Sequence, residues 1–337
     1  MAQTINAGNK GLVNLGNTCY MNSVLQCLSH LLTFHPKNED FFNECQNLNN
    51  GLMYEWFQFQ RKMWSNQDNE TQNPIELLRC FTKLCRDKDL YFENFNQNDV
   101  HEFLVIFLDL LHESIKKQVK INLVNKKGSD EASKIVIKGF ETWKQFYEND
   151  YSYIVENFYS QLLSLTICPK CYYFTSNHDP IQVIELEIPD DANTIYDCLK
   201  NYTEKTVLDE ENMWKCDKCK EDVQPHKRTL FFKTSEILII LLKRYSSNLR
   251  KINKFIQYPM NLHLKDYNKN YGTKRPNVYS LNGFCIHGGS LGGGHYYAVS
   301  KNLLDKKWYE YNDSSVKKIV PGEALKYSPY LFFYKRI

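Results

Sequence analysis

The chain has 337 residues and a formal net charge of +3, from 42 Lys and Arg against 39 Asp and Glu. With 42% hydrophobic and 24% charged residues it carries enough apolar side chains for a sizeable core, which excludes wholesale disorder. The near balance of charge does not indicate a basic nucleic-acid-binding surface, and no apolar run approaches the roughly 18 residues of a membrane helix. The longest run, Ile237 to Leu242, is of strand length. The first residues lack the basic and apolar regions of a signal peptide, so an intracellular location, cytoplasmic or nuclear, is expected. Eleven cysteines are then not expected to form a disulfide framework.

In chain order, Met21, Val24, Leu25, Leu28, Leu31 and Leu32 follow the helical period and predict an amphipathic helix ending before Pro36. Asn17 and Thr18 are candidate N-caps, which sets Cys19 at the first turn. Residues 37–73 read as a helix from Tyr54 to Trp64 with polar loop around it. Pro74 opens a helix that runs to Cys85. A further helix begins near Asp99, with Val100, Phe103, Leu104, Phe107, Leu108 and Leu111 as its apolar stripe. The Lys-rich stretch 116–138 reads as a mobile surface insertion. From about 153 the period changes to two, with short strands through 188 and again over 228–242. The last third predicts strands at 278–286, 295–300, 306–311 and 330–335. Helices first and strands second indicate an α+β architecture.

Three clusters carry chemistry. Cys19 follows Gly11-Leu12-Val13-Asn14-Leu15-Gly16-Asn17-Thr18. A cysteine at a helix N-terminus feels the positive end of the macrodipole, which lowers the thiol pKa. The preceding turn offers N–H groups to an oxyanion, and the amide of Asn14 adds a further donor. His295 opens a strand after Gly288-Gly289-Ser290-Leu291-Gly292-Gly293-Gly294. Glycine allows close backbone approach, so this histidine suits a general base beside a cleft for an extended peptide. A hairpin centred between Leu303 and Leu304 sets His295 opposite Asn312, with Asp313 next along. A one-residue slip would exchange the faces of those two partners. Cys, His and Asn or Asp in that order form a thiol-protease constellation. The third cluster is Cys168-Pro169-Lys170-Cys171 with Cys216-Asp217-Lys218-Cys219. These two knuckles make a closed tetrahedral site for one structural zinc ion.

Gly11 to Leu28 resembles the cysteine box of the ubiquitin-specific proteases. Gly293-Gly294-His295-Tyr296 with Tyr311-Asn312-Asp313-Ser314-Ser315-Val316 resembles their histidine box. Gln97 to Leu104 resembles their middle glutamine–aspartate segment, and Leu242-Lys243-Arg244-Tyr245 their strand end. The blocks stand in family order and span nearly the whole chain. Asn98 departs from the pattern, standing where the family has glutamine, and Tyr159-Ser160 replaces its usual glycine.

The resemblance implies a papain-like fold across 1–337, with a helical thumb (about 1–150), zinc-bearing β fingers (151–235) and a β-rich palm (236–337). It implies hydrolysis of the isopeptide or peptide bond after the C-terminal glycine of ubiquitin. By position, Cys19 is the nucleophile, His295 the base and Asn14 an oxyanion donor, with Asn312 and Asp313 contending to orient His295. Asp99 matches a residue that holds an arginine of the ubiquitin tail, while Gly293, Gly294 and Tyr296 stand at the substrate cleft. The expected partners are ubiquitin and its conjugates, with neither nucleic acid nor membrane, and the chain acting as a monomer. A non-catalytic ubiquitin-binding scaffold is the competing reading, opposed by the intact Cys, His and Asn/Asp set.

Overall fold

The computed structural model describes residues 7–65, 71–90, 92, 98–124, 128, 130–245, 250–267, 277–290 and 293–337. Helices fill the first half: α1 (Cys19–Ser29), α2 (Glu39–Cys45), α3 (Leu52–Met63), α4 (Ile75–Asp87), α5 (Val100–Ile115), α6 (Glu131–Tyr147) and α7 (Tyr153–Phe158). Then come β1 (Ser160–Ile167), β2 (Phe174–Ile181), β3 (Val183–Leu186), α8 (Ile195–Thr203), β4 (Thr206–Val207), β5 (Trp214–Lys215), β6 (Asp222–Val223), β7 (His226–Lys233) and β8 (Ile237–Leu242). The chain closes with β9 (Asn261–His263), β10 (Val278–Ser290), β11 (Gly293–Lys301), β12 (Trp308–Asn312), β13 (Ser315–Ile319), α9 (Pro321–Ala324) and β14 (Leu331–Arg336).

The apolar run Ile237–Leu242 explains the main sheet. β8 lies inside it, in the order β13-β12-β11-β10-β14-β8-β3, with β9 on β10. Side chains alternate across a strand. Ile237, Ile239 and Leu241 therefore join Leu331 and Phe333 in the core under the helices. Leu238, Ile240 and Leu242 join Phe332 and Tyr334 in a second core on the opposite face. A strand covered on both faces needs no polar alternation. A separate four-stranded sheet, β2-β1-β7-β4, carries the two-stranded ribbon β5-β6 in the same region of the chain.

α1 departs from the amphipathic expectation, because every residue of it is buried. Several polar side chains of the helix and its C-cap His30 bond inside the protein. Gln26 donates to Lys10 O at 2.8 Å, Ser29 to Gln60 at 3.0 Å, and the His30 ring meets Tyr311 Oη at 2.8 Å. Three further expectations are corrected. The polar stretch before Tyr54 contains α2, capped by Asn38. The region from 153 opens with α7 before its first strand. The supposed surface insertion turns into α6 at Glu131, capped by Asp130. That helix lies on the four-stranded sheet so closely that a β-carbon on Gly139 would stand 2.4 Å from the Phe232 ring. Lys126, Lys127 and Ser129 of that stretch, and Gln97 of the middle segment, lie outside the described residues.

Candidate active site

The N-terminus of α1 points into the seam between the helices and β11. Cys19 is 4% exposed, and its Sγ receives the N–H of Tyr296 at 3.5 Å. Burial pushes its thiol pKa up. The Tyr296 N–H and the N–H groups of Cys19 and Tyr20 pull it down, and the Asp313 carboxylate pushes it up again. The net shift is upward, so the lowering expected from the helix terminus is present but outweighed by desolvation. Desolvation therefore weights Cys19 towards its thiol form.

The imidazole expected as its base has a partner. His295 Nε2 lies 2.6 Å from Asn312 Oδ1. An amide oxygen only accepts, so Nε2 carries the proton and Nδ1 keeps its lone pair. The expected hairpin register is corrected. β11 pairs with β12 as Ala298 with Tyr311 and Lys301 with Trp308. Continued outward, that register puts Tyr297 opposite Asn312. A six-residue turn causes the shift. Asn302 Oδ1 accepts from Leu304 N and Asp305 N, and Lys306 takes a left-handed φ of 61°. The displacement is an even number of residues, so His295 and Asn312 keep the same face and meet diagonally.

Asp313 heads the other way. It sits in the β12–β13 turn at φ 48°. Its Oδ2 accepts from Asn14 Nδ2 at 2.9 Å and its Oδ1 from Asn22 Nδ2 at 2.8 Å. His295 Nε2 is 3.9 Å away, beyond hydrogen-bond length. The Asp313 carbonyl accepts from Leu12 N at 2.8 Å. Gly11 comes so near that a β-carbon there would meet Ser314 O at 2.3 Å. Asp313 therefore pins the segment before α1 to the sheet. One Asn14 N–H is engaged on Asp313 while Asn14 Oδ1 accepts from Gly16 N and Thr18 N, each at 3.1 Å. The amide is thus held in one orientation, with its second N–H available beside the turn.

Asp99 caps α5, its Oδ1 accepting from His101 N at 2.7 Å. Its Oδ2 accepts from Tyr296 Oη at 3.2 Å and Tyr330 Oη at 3.1 Å. The glycine stretch is less open than its composition suggests, because β10 and β11 continue into it as paired strands. Gly289 pairs with Gly294 and Gly288 with His295. A β-carbon on Gly294 would meet His287 Nε2 at 2.2 Å, whereas one on Gly293 would meet nothing within 4 Å. Gly294 thus serves packing, and Gly293 faces open space.

The cysteine pairs converge at the far end of the fingers-like sheet. The Sγ atoms of Cys168, Cys171, Cys216 and Cys219 all lie within 4.8 Å of one another. Each knuckle is the same turn. Tyr172 N donates to Cys168 O at 3.1 Å and Lys220 N to Cys216 O at 2.8 Å, with Tyr172 and Lys220 both left-handed. A tetrahedral zinc with bonds of about 2.3 Å spaces its sulfurs by roughly 3.8 Å. Cys168 to Cys219 measures 3.8 Å and Cys171 to Cys216 3.5 Å, so the donor set fits that ion.

A buried thiol, an imidazole held by an asparagine and a turn of amide donors define a papain-like thiol hydrolase arrangement. The chain belongs to the ubiquitin carboxyl-terminal hydrolase family, whose model matches residues 10–334. It is 31% identical over 335 residues to ubiquitin carboxyl-terminal hydrolase Usp2 of Drosophila melanogaster, covering 97% of this chain and 34% of that protein. Identity to ubiquitin carboxyl-terminal hydrolase 2 of Bos taurus is 29% over 343 residues, covering 97% and 55%. The chain therefore spans about a third to just over half of these relatives. Among solved structures, it resembles a SAGA DUB module of Ubp8, Sgf11, Sus1 and Sgf73 bound to monoubiquitin. The TM-score is 0.78 at 27% identity, covering 100% of this chain and 71% of that one. A second such module, bound to ubiquitin aldehyde, gives 0.76 at 26%, covering 100% and 71%. The α+β fold matches those of these catalytic domains.

Sequence reasoning missed Asn22, Tyr330 and Lys251, and read Tyr245 only as part of a strand-end motif. Asn22 stands one turn after Cys19 but shares α1 with the polar Ser23, Gln26 and Ser29, so nothing in the sequence singled it out. Tyr330 and Lys251 had no signal either, since only the folded sheet brings them to the site.

Proposed function

We propose that the protein is a deubiquitinating thiol protease acting after the C-terminal glycine of ubiquitin. The observation that carries this is the bond of His295 to Asn312, which leaves Nδ1 as the basic nitrogen on a strand whose next residue donates to Cys19 Sγ. In this reading Nδ1 of His295 takes the thiol proton as Sγ attacks the scissile carbonyl. The resulting oxyanion is received by the second N–H of Asn14 and the backbone N–H of Cys19, donors fixed before the charge develops. The imidazolium returns its proton to the leaving amine, and the thioester is hydrolysed by water with His295 again as base. Asn312 orients the ring. Asp313 acts at one remove, holding Asn14 and Asn22. Asp99 offers its carboxylate to a cationic side chain of the incoming tail, in exchange for the two tyrosine hydroxyls. Gly293 leaves room for the tail's backbone, and Tyr296 supplies one wall. Cys168, Cys171, Cys216 and Cys219 would hold one zinc ion, which with four thiolate ligands would have no open position for water and would serve structure alone.

The test is turnover of ubiquitin carrying a C-terminal fluorophore, together with covalent capture by ubiquitin bearing a C-terminal electrophile. Hydrolysis with one adduct on Cys19 is the expected result. Tight ubiquitin binding with neither hydrolysis nor adduct would instead support a non-catalytic scaffold.

A further inference from the structure

Among the described residues, the outer end of β10 has no paired strand on the edge away from β11. β14 pairs with β10 only as far as Cys285, whose carbonyl accepts from Tyr330 N at 2.9 Å. Carbonyls of alternate residues face the same edge of a strand. The next two on that edge belong to His287 and Gly289, where β14 has already ended. Both end on one side chain. Lys251 Nζ donates to His287 O at 2.7 Å and to Gly289 O at 2.9 Å. It also lies 3.4 Å from His287 Nδ1, which receives Tyr245 Oη at 2.6 Å. A backbone bridge between Tyr245 and Lys251 brings these two side chains to the edge together.

What Lys251 holds is the partner strand of the catalytic histidine. Gly288 is paired with His295 and Gly289 with Gly294. Glycines bring no side chains to anchor this stretch and lose the most conformational freedom when ordered. The His287 ring continues the connection, packing 4.5 Å from the Tyr296 ring, whose N–H meets Cys19. The lysine thus does with one ammonium what a missing strand would do with two N–H groups.

We propose that Lys251 is a positioning residue that clamps the free end of β10 and so fixes the strand carrying Gly293, Gly294 and His295 at the mouth of the cleft. Its effect on turnover rests on the deubiquitinase reading; its effect on β10 does not. Lys251→Met keeps the aliphatic stem and deletes the donors, and Lys251→Arg keeps charge and donors. Both are compared with wild type in the full chain by hydrogen exchange, thermal melting, and kcat and KM on ubiquitin–fluorophore. In Lys251→Met, exchange over 287–297 should rise about tenfold or more and KM about tenfold, as loss of two charge-assisted bonds implies. The expected change in kcat is smaller, and Tm should move by less than about 2 °C. Lys251→Arg should restore most of the loss. Unchanged exchange overturns the clamp. So does a loss confined to the number of active sites titrated by the electrophilic ubiquitin, at unchanged KM, because that marks a merely structural lysine. If wild type fails to hydrolyse ubiquitin conjugates, the deubiquitinase reading falls while the exchange result still decides the clamp.

Discussion

The four-cysteine knot and the Cys19 seam each place cysteine sulfur beside a tight turn, yet they are built in opposite ways. In the knot, two copies of one local turn meet across a narrow ribbon, and each knuckle closes within five residues. In the seam, the turn before α1 is shaped by a residue about 300 positions away, through the Asn14–Asp313 bond. Local construction lets the knot be read from spacing. Long-range construction lets the seam tune reactivity, because burial against β11, the Tyr296 N–H and the Asp313 charge all act on one thiol.

Substitutions should separate the two regions. Cys19→Ala should lower kcat by at least about a thousandfold, the scale of losing a nucleophile, with melting temperature essentially unmoved. Substantial residual turnover would dissociate the seam from chemistry. Asn14→Ala should lower kcat by about a hundredfold, as for other oxyanion donors, and leave KM little changed. Asp99→Asn keeps a residue that caps a helix as well as Asp does but removes the charge. KM should rise roughly tenfold, the scale of one charge-assisted bond, with Tm unchanged; an unaltered KM would leave Asp99 as a cap alone.

Cys216→Ala should reverse the pattern. Elemental analysis should fall from about one zinc per chain, the stoichiometry of a four-thiolate site, to almost none. Tm should drop by about 5 °C or more, while kcat on a saturating substrate changes least among these variants. Equal loss of kcat in Cys216→Ala and Asn14→Ala would mean that knot and seam are coupled. The subtlest change is expected in Asp313→Asn. The carboxylate disfavours the Cys19 thiolate, so its removal should move the pH profile of Cys19 alkylation to lower pH. A shift to higher pH would show that holding Asn14 and Asn22 matters more to the thiol than the charge does.

The sequence carried the ordered motif blocks, the position of Cys19 at a helix start and the paired knuckles, because each is a property of a few neighbouring residues. It also carried the parity that sets Asn312 on the face of His295, since side-chain alternation survives an even slip in register. The actual register was hidden in the Asn302 turn, whose hydrogen bonds form only in the folded hairpin. Helix α6 was obscured by its lysines, which read as solvated loop until Gly139 is seen against Phe232. The complete burial of α1, the upward shift of the Cys19 thiol and the capture of two β10 carbonyls by Lys251 belong to tertiary structure alone. Desolvation and the partners of a strand edge depend on what packs alongside, and that is decided by residues far away in the chain.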